Sequence, residues 1–479
     1  MLLAIVLLPL AAALVCLVRP PRPVMEGATL ANATGILVIS SLMVAGKWAG
    51  WNLSYGFLSA DALSVWFLFL VGVVTFLASL HSVGYLRGDA RHENGRRQRY
   101  HLYYVLWNVF TGTMVLAVLT RNLGLLWIAI EATTLASAFL VWFHDRPETL
   151  EAAWKYVLLT SVGSLLALLG TFLVVFAAGA PTLDWTVLRA AAPSMAPGVL
   201  QLAFVLALVG YGTKAGYAPM HTWLPDAHSQ APSPVSALLS GAEINTAVYA
   251  IMRFRSIALA GLGPAFPSRL LLGFGLFSLA LAAFFLLVQK DYKRMLAYSS
   301  IEHMGIIAVG LSLGGPLALV ATLWQVFNHA VAKATLFLTS GNILLKYRTS
   351  RITEVRGVLT AMPFSGAVFL AGGLALTGLP PFGPFLSEFT IFSAAFRQHL
   401  VAAGVALVLL ITLALAGLIK WLNRMVFGYP WEPLPAGENS WWTTLPLGLG
   451  LFLILVPGLV WPGWAQSLAA AAAGVMGVK

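Results

Sequence analysis

The sequence predicts an all-α, polytopic membrane protein of about fourteen transmembrane helices, and three observations predict it. Of its 479 residues, 59% are apolar and only 9% charged, whereas a soluble domain carries about 25% charged residues to solvate its surface. The mean hydropathy is +0.86. The apolar residues gather into blocks of roughly 17–25, the length a helix needs to cross a bilayer core. Together these exclude a soluble enzyme, a disordered chain and a disulfide scaffold.

The blocks follow one another in order. The first, 1–18, has no basic residue before it and Arg19 and Arg22 after it, so it reads as a retained span and not a cleaved leader. Next come 27–46, 61–86 (opened by Asp61), 101–119, 122–143 and 153–179. The seventh, 200–220, runs into Pro219 and then Pro225 and is expected to break, because proline cannot donate a helical hydrogen bond. Blocks 233–252, 268–288, 294–314 and 316–345 follow. The twelfth, 359–396, is too long for one crossing and contains Gly378-Leu-Pro-Pro381, so it is expected to break as well. Blocks 400–427 and 442–465 complete the set. Two interrupted spans in corresponding positions point to inverted repeats with a working site at each break. The expected organisation is 1–100 for helices 1–3 and a basic loop, 101–257 for the first five-helix repeat, 268–427 for the second, and 428–479 for the last helix.

Charge sets the orientation. With the amino terminus outside, eighteen of the 28 lysines and arginines fall in cytoplasmic loops and eight on the outer side, Arg253 and Arg255 among the eight. The positive-inside rule therefore places both termini outside the cytoplasmic membrane. The net charge of +11 is a topology signal and implies no nucleic-acid partner. Cys16 stands alone, which excludes a disulfide and a four-thiolate cluster. Neither GxGxxG nor GxxxxGK[ST] is present, so no nucleotide site is visible. His221, Asp226 and His228 match no zinc spacing and read as helix-break residues. No cofactor or metal is expected, and the energy source lies outside the chain.

Polar residues inside spans carry the functional reading. Glu131, Lys214, Glu243, Glu302, His303, His329, Lys333 and Glu388 all fall within apolar blocks. A charge at the centre of a lone helix costs about 2.5–3.5 kcal/mol on insertion scales, so such groups must pair, face water or titrate. Singly, each could tie helices together. As a set they suggest a relay along the membrane midplane. Lys214 lies in Gly212-Thr-Lys-Ala-Gly-Tyr-Ala-Pro219, just before the first break. Glu131 has no basic neighbour within helical reach, and Lys214 is its natural partner. Gln325, His329 and Lys333 recur every four residues and share one helix face. Glu302 and His303 point about 100° apart, and Glu243 and Asn245 also face different ways.

The stretch Lys214 to Arg253, KAGYAPMHTWLPDAHSQAPSPVSALLSGAEINTAVYAIMR, resembles the signature region of the antiporter-like subunits of respiratory complex I, Mrp antiporters and group 4 hydrogenases. Lys293-Arg-Met-Leu-Ala-Tyr-Ser-Ser300 and Gly378-Leu-Pro-Pro-Phe-Gly383, followed by Ser387-Glu388-Phe389, support this. Glu151-Ala-Ala-Trp-Lys-Tyr156 and Ser299-Ser-Ile-Glu-His-Met-Gly305 most resemble the F component of hydrogenase-4, of the formate-hydrogenlyase type. The resemblance implies a proton-translocating subunit driven by redox chemistry in partner subunits, namely other membrane subunits and a peripheral redox arm. It places Glu131 and Lys214 at the family's fifth- and seventh-helix pair, His329 and Lys333 at the eleventh-helix relay, and Glu388 at the terminal site. Glu243, Asn245, Glu302, His303 and Gln325 are further relay candidates. Two positions depart from the pattern: Asn245 stands where many relatives have a basic residue, and Gln325 where complex I's largest antiporter-like subunit has a histidine. A complex I or Mrp Na⁺/H⁺ antiporter subunit of the same fold, or a purely structural membrane anchor, are the alternatives.

Overall fold

The computed structural model describes residues 1–46, 52–90 and 99–477. Lys47, Arg91, Arg96, Arg97 and Lys479, which the charge distribution uses, lie outside these residues. Each apolar block becomes helical. The first part of the chain comprises α1 (Leu2–Leu17), α2 (Arg22–Val44), α3 (Ala62–Ala90), α4 (Tyr100–Leu119), α5 (Leu123–Val141), α6 (Pro147–Ala178), α7 (Trp185–Ala191), α8 (Pro197–Ala215), α9 (Trp223–Gln230), α10 (Ser233–Leu238) and α11 (Ile244–Leu262). The remainder comprises α12 (Ala265–Leu286), α13 (Tyr292–Leu313), α14 (Pro316–Tyr347), α15 (Val358–Ala361), α16 (Pro363–Leu376), α17 (Gly383–Arg397), α18 (Val401–Val426), α19 (Trp441–Leu459) and α20 (Gly463–Val475). Among the described residues, eleven helices are long and apolar enough to cross a membrane. The shorter α1 and α16 are apolar too. The 32-residue α14 carries the polar residues Gln325, Asn328, His329 and Lys333 along its length.

Four features go beyond the blocks. A short antiparallel hairpin, β1 (Leu53–Tyr55) with β2 (Leu58–Ala60), precedes α3. Helices α7 and α20 are added, and a π-helical turn, Leu239–Glu243, joins α10 to α11.

The helices sort into an inner and an outer set. The α10–α11 segment and α13 are buried along their crossings, and α3 and α14 nearly so. The inner helix α14 packs against α3, α10, α13, α16, α17 and α19. Helices α2, α6, α12, α18 and α19 leave large apolar side chains such as Phe172, Phe284, Leu409 and Phe452 exposed, a surface suited to lipid and not to water.

The two breaks fall where the prolines predict. At the first, α8 ends at Ala215 and Gly216 takes a left-handed conformation with φ +83°, the usual helix C-terminal device. The Thr213 carbonyl, which accepts the Gly216 N–H at 3.2 Å, also accepts the Trp223 indole N–H at 2.8 Å. At the second, α16 ends at Leu376 and α17 begins at Gly383. There the freed Leu376 carbonyl accepts His303 Nε2 at 3.2 Å.

Arg253 and Arg255 depart from the charge reading. Expected on the outer side, both lie on α11 and are only 2% exposed. Arg253 is accommodated because its two Nη atoms donate to the two Asp61 carboxylate oxygens, each at 2.7 Å. It also donates to Ser64 and Tyr249 and stacks over Trp185 at 4.2 Å. Bidentate geometry of this kind fixes α11 to the start of α3.

Candidate functional site: two buried polar clusters at the helix breaks

Lys214 sits in the last turn of α8, 3% exposed. Its ammonium forms an ion pair with Glu243 Oε1 at 2.6 Å. It also donates to the Thr134 hydroxyl at 2.6 Å and the Tyr156 hydroxyl at 2.7 Å. Tyr156 in turn donates to Glu243 at 2.7 Å. This corrects the expected pairing: the carboxylate bonded to Lys214 is Glu243, not Glu131. The reason is local. The π turn at Leu239–Glu243 inserts extra backbone and changes the phase of the helix, and Glu243 at its end meets Lys214. Glu131 on α5 instead accepts Ser161 Oγ at 2.7 Å, and its buried Oε2 has no hydrogen-bond partner. It remains within electrostatic reach of Lys214.

The second cluster lies at the other break. Glu388 Oε1 accepts the Gln325 amide N–H at 2.9 Å and lies 3.6 Å from His303 Nδ1. Gln325 Nε2 also donates to His303 Nδ1 at 2.9 Å. His303 Nε2 donates to the Leu376 carbonyl, which places a proton on Nε2. Ser387 donates to Gln325 Oε1 at 2.5 Å, and Asn328 Nδ2 to Ser387 at 3.1 Å. Glu388 has no lysine or arginine within ion-pairing distance among the described residues, so neither Lys333 nor Lys420 neutralises it. The His329 ring lies 5.4 Å from that of His303, with both its nitrogens unbonded. Lys333 is fully buried; its ammonium donates to the Leu296 carbonyl at 2.7 Å and to Ser299 Oγ. Glu302 lies within electrostatic reach of both Lys333 and Glu388.

Between the clusters stands a pair of serines. Ser240, on the π turn that carries Glu243, is 2.8 Å from Ser300 on α13, oxygen to oxygen. Ser300 also donates to the Leu296 carbonyl, the same acceptor that Lys333 uses. Asn245 stands off this line, because its amide donates to Gly241 in its own helix at 2.8 Å.

The sequence reading therefore found the charged members and missed most of the uncharged ones. Tyr156, Thr134, Ser299, Ser300 and Ser387 are ordinary residues of apolar helices, and only their neighbours across helices mark them. Buried His228, with both ring nitrogens unbonded against Phe337, was legible in type but not in setting. His221 lies elsewhere, against Tyr298, and Asp226 is taken by Lys155 and Arg294.

A family model described as NADH:quinone oxidoreductase/Mrp antiporter, transmembrane, matches residues 120–414. A second, for the complex I chain 5 N-terminus, matches residues 48–100. The hydrogenase-4 component F homolog of Methylacidiphilum infernorum is 37% identical over 380 residues, covering 78% of this chain and 80% of that protein. A chain of the membrane-bound sulfane sulfur reductase, an archaeal respiratory membrane complex, superposes with a TM-score of 0.87 at 24% identity, covering 100% of this chain and 98% of its own. A chain of respiratory complex I from Thermus thermophilus does so with a TM-score of 0.80 at 27% identity, covering 98% and 100%. With its two buried polar clusters held on this shared scaffold, the chain belongs to the NADH:quinone oxidoreductase/Mrp antiporter family of transmembrane subunits.

Proposed function

We propose that the chain is the proton-translocating, antiporter-like subunit of a hydrogenase-4-like, redox-driven complex in a prokaryotic cytoplasmic membrane. In this reading it crosses the bilayer fourteen times, as two inverted five-helix repeats, with both termini outside. Its partners are other membrane subunits and a peripheral redox arm. The hydrogenase-4 assignment rests on the 37% identity to a component F homolog.

The observation that carries the proposal is the buried Lys214–Glu243 pair with a second carboxylate, Glu131, close by. Burial makes an ammonium costly, and a neighbouring carboxylate offsets that cost more fully than hydroxyl or carbonyl acceptors do. Movement of a carboxylate away from Lys214 releases its proton, and return of the carboxylate recharges it. Two carboxylates flanking one lysine supply the alternatives such a switch needs. The proton then passes by way of Ser240 and Ser300 towards Lys333, and through His329, His303 and Gln325 to Glu388. Asn245 plays no part in this route; Glu302 tunes it electrostatically. Glu388, at the second break and without a lysine or arginine partner among the described residues, is the gate to one aqueous face.

The test is proton movement by the reconstituted complex. Glu131→Gln and Lys214→Ala are each expected to abolish proton uptake into vesicles while much redox turnover persists. Wild-type uptake by both variants would instead support a structural membrane anchor.

A further inference from the structure

A cavity of about 400 Å³ opens among the ends of α3, α6, α9, α13 and α14, away from both clusters. Its walls include Asp89, His144, Arg146, Lys293, Arg348 and Arg351. Arg351 pairs with Glu354 at 3.2 Å, and the Asp89 carboxylate is engaged by His144 Nε2 at 3.3 Å. Lys293 is 1% exposed, and its ammonium has a single hydrogen bond, to the Ala231 carbonyl at 2.5 Å. Among the described residues, neither Lys293 nor Arg348 has a carboxylate within ion-pairing distance. Asp291, beside Lys293, is occupied in capping α13 and in accepting Ser350.

A buried ammonium paired only with a carbonyl is incompletely compensated. A mouth where Lys293 and Arg348 have no ion pair among the described residues is poorly suited to admitting protons or sodium. It suits a multiply charged oxyanion, for which convergent lysine and arginine donors are the usual recognition chemistry. Basic pockets between membrane helices on the cytoplasmic side hold phosphate-bearing headgroups in this manner. We infer that this cavity binds a phosphate group, supplied by an anionic phospholipid headgroup or by free phosphate. The bound anion ties the ends of helices from both halves of the chain together.

The purified complex containing this chain is placed in nanodiscs of phosphatidylcholine alone, or of equal parts phosphatidylcholine and phosphatidylglycerol, and its melting is followed with and without inorganic phosphate. Wild type is expected to show a saturable rise in melting temperature with at least one of the two probes. Arg348→Gln, at the exposed rim, is expected to weaken that response at least fivefold, and Lys293→Gln to do the same if it folds. Arg269→Gln, an exposed arginine of α12, is expected to leave it unchanged. A response to phosphatidylglycerol to which phosphate adds nothing identifies the lipid source; a response to phosphate in phosphatidylcholine alone identifies the soluble one. No response to either probe overturns the inference, as would equal losses in Arg348→Gln and Arg269→Gln. An acidic segment of a neighbouring subunit filling the cavity would give that same unresponsive result.

Discussion

Lys214 has two carboxylates within electrostatic reach, and only Glu243 holds it in an ion pair. Glu243→Gln therefore leaves a buried ammonium with neutral hydrogen-bond partners and no ion pair, and removing one member of a buried pair typically costs about 3–5 kcal/mol. Thermal unfolding should show that loss, together with lost proton uptake. The double variant Lys214→Met/Glu243→Leu removes both charges, and buried pairs replaced by apolar residues are often neutral or better in stability. It should regain most of the stability and none of the transport; recovery of transport would sink the relay. Glu388→Gln differs, because no lysine or arginine pairs with Glu388 among the described residues. That variant should assemble normally and lose transport, and normal pumping by an assembled Glu388→Gln complex would remove the gate. At this scale the charged residues were legible, since a charge in an apolar block has few innocent explanations. Their pairing was not. Counting residues at a uniform helical period cannot foresee a π turn at Leu239–Glu243, at whose end Glu243 meets Lys214.

Each broken helix presents a carbonyl near its end to a side chain beyond it: Thr213 to Trp223, Leu376 to His303. The second contact orients the His303 ring so that its Nδ1 faces Gln325, which links backbone breakage to the polar chain. Pro219, Pro380 and Pro381 made both breaks visible in sequence, because proline interrupts a helix by covalent structure and not by context. The hairpin β1–β2, α7 and α20 had no comparable mark; they are short and draw their stability from packing on neighbours, a property absent from local periodicity. Gly378 tests the second break. It adopts φ +64°, and a side chain there would collide with the Glu388 carboxylate. Gly179 has a similar φ of +60° with nothing near a would-be side chain. Gly179→Ala should therefore cost only the left-handed backbone term, about 1–2 kcal/mol, with transport intact. Gly378→Ala should cost more in melting experiments and also lose transport. Equal behaviour of the two alanine variants would mean that the close approach of Gly378 to Glu388 is immaterial.

Across the whole molecule, proton transport requires an orientation and a connection. Cys16 is the only cysteine in the sequence and is buried, so single introduced cysteines report sidedness without background. Ser194→Cys, between α7 and α8, should react with a membrane-impermeant maleimide from outside, and Thr353→Cys, between α14 and α15, only from the cytoplasm. The opposite pattern would invert the topology. The connection is the narrower demand. Lys214 and Glu243 stand in one half, Lys333 and Glu388 in the other; Ser240, on the turn that carries Glu243, meets Ser300, and Ser300 shares the Leu296 carbonyl with Lys333. Serine hydroxyls both donate and accept, so they can pass a proton or align water without holding charge. Ser240→Ala with Ser300→Ala deletes two hydroxyls from a buried contact; because donor and acceptor leave together, the stability cost should stay near 1 kcal/mol. Transport should fall at least tenfold, equivalent to about 1.4 kcal/mol on the barrier, while redox turnover continues. A structural role for the serines predicts the reverse, with lower stability and unchanged proton yield per turnover. Measuring melting and proton yield on the same preparation separates the two, and an unchanged yield would mean that the halves work independently.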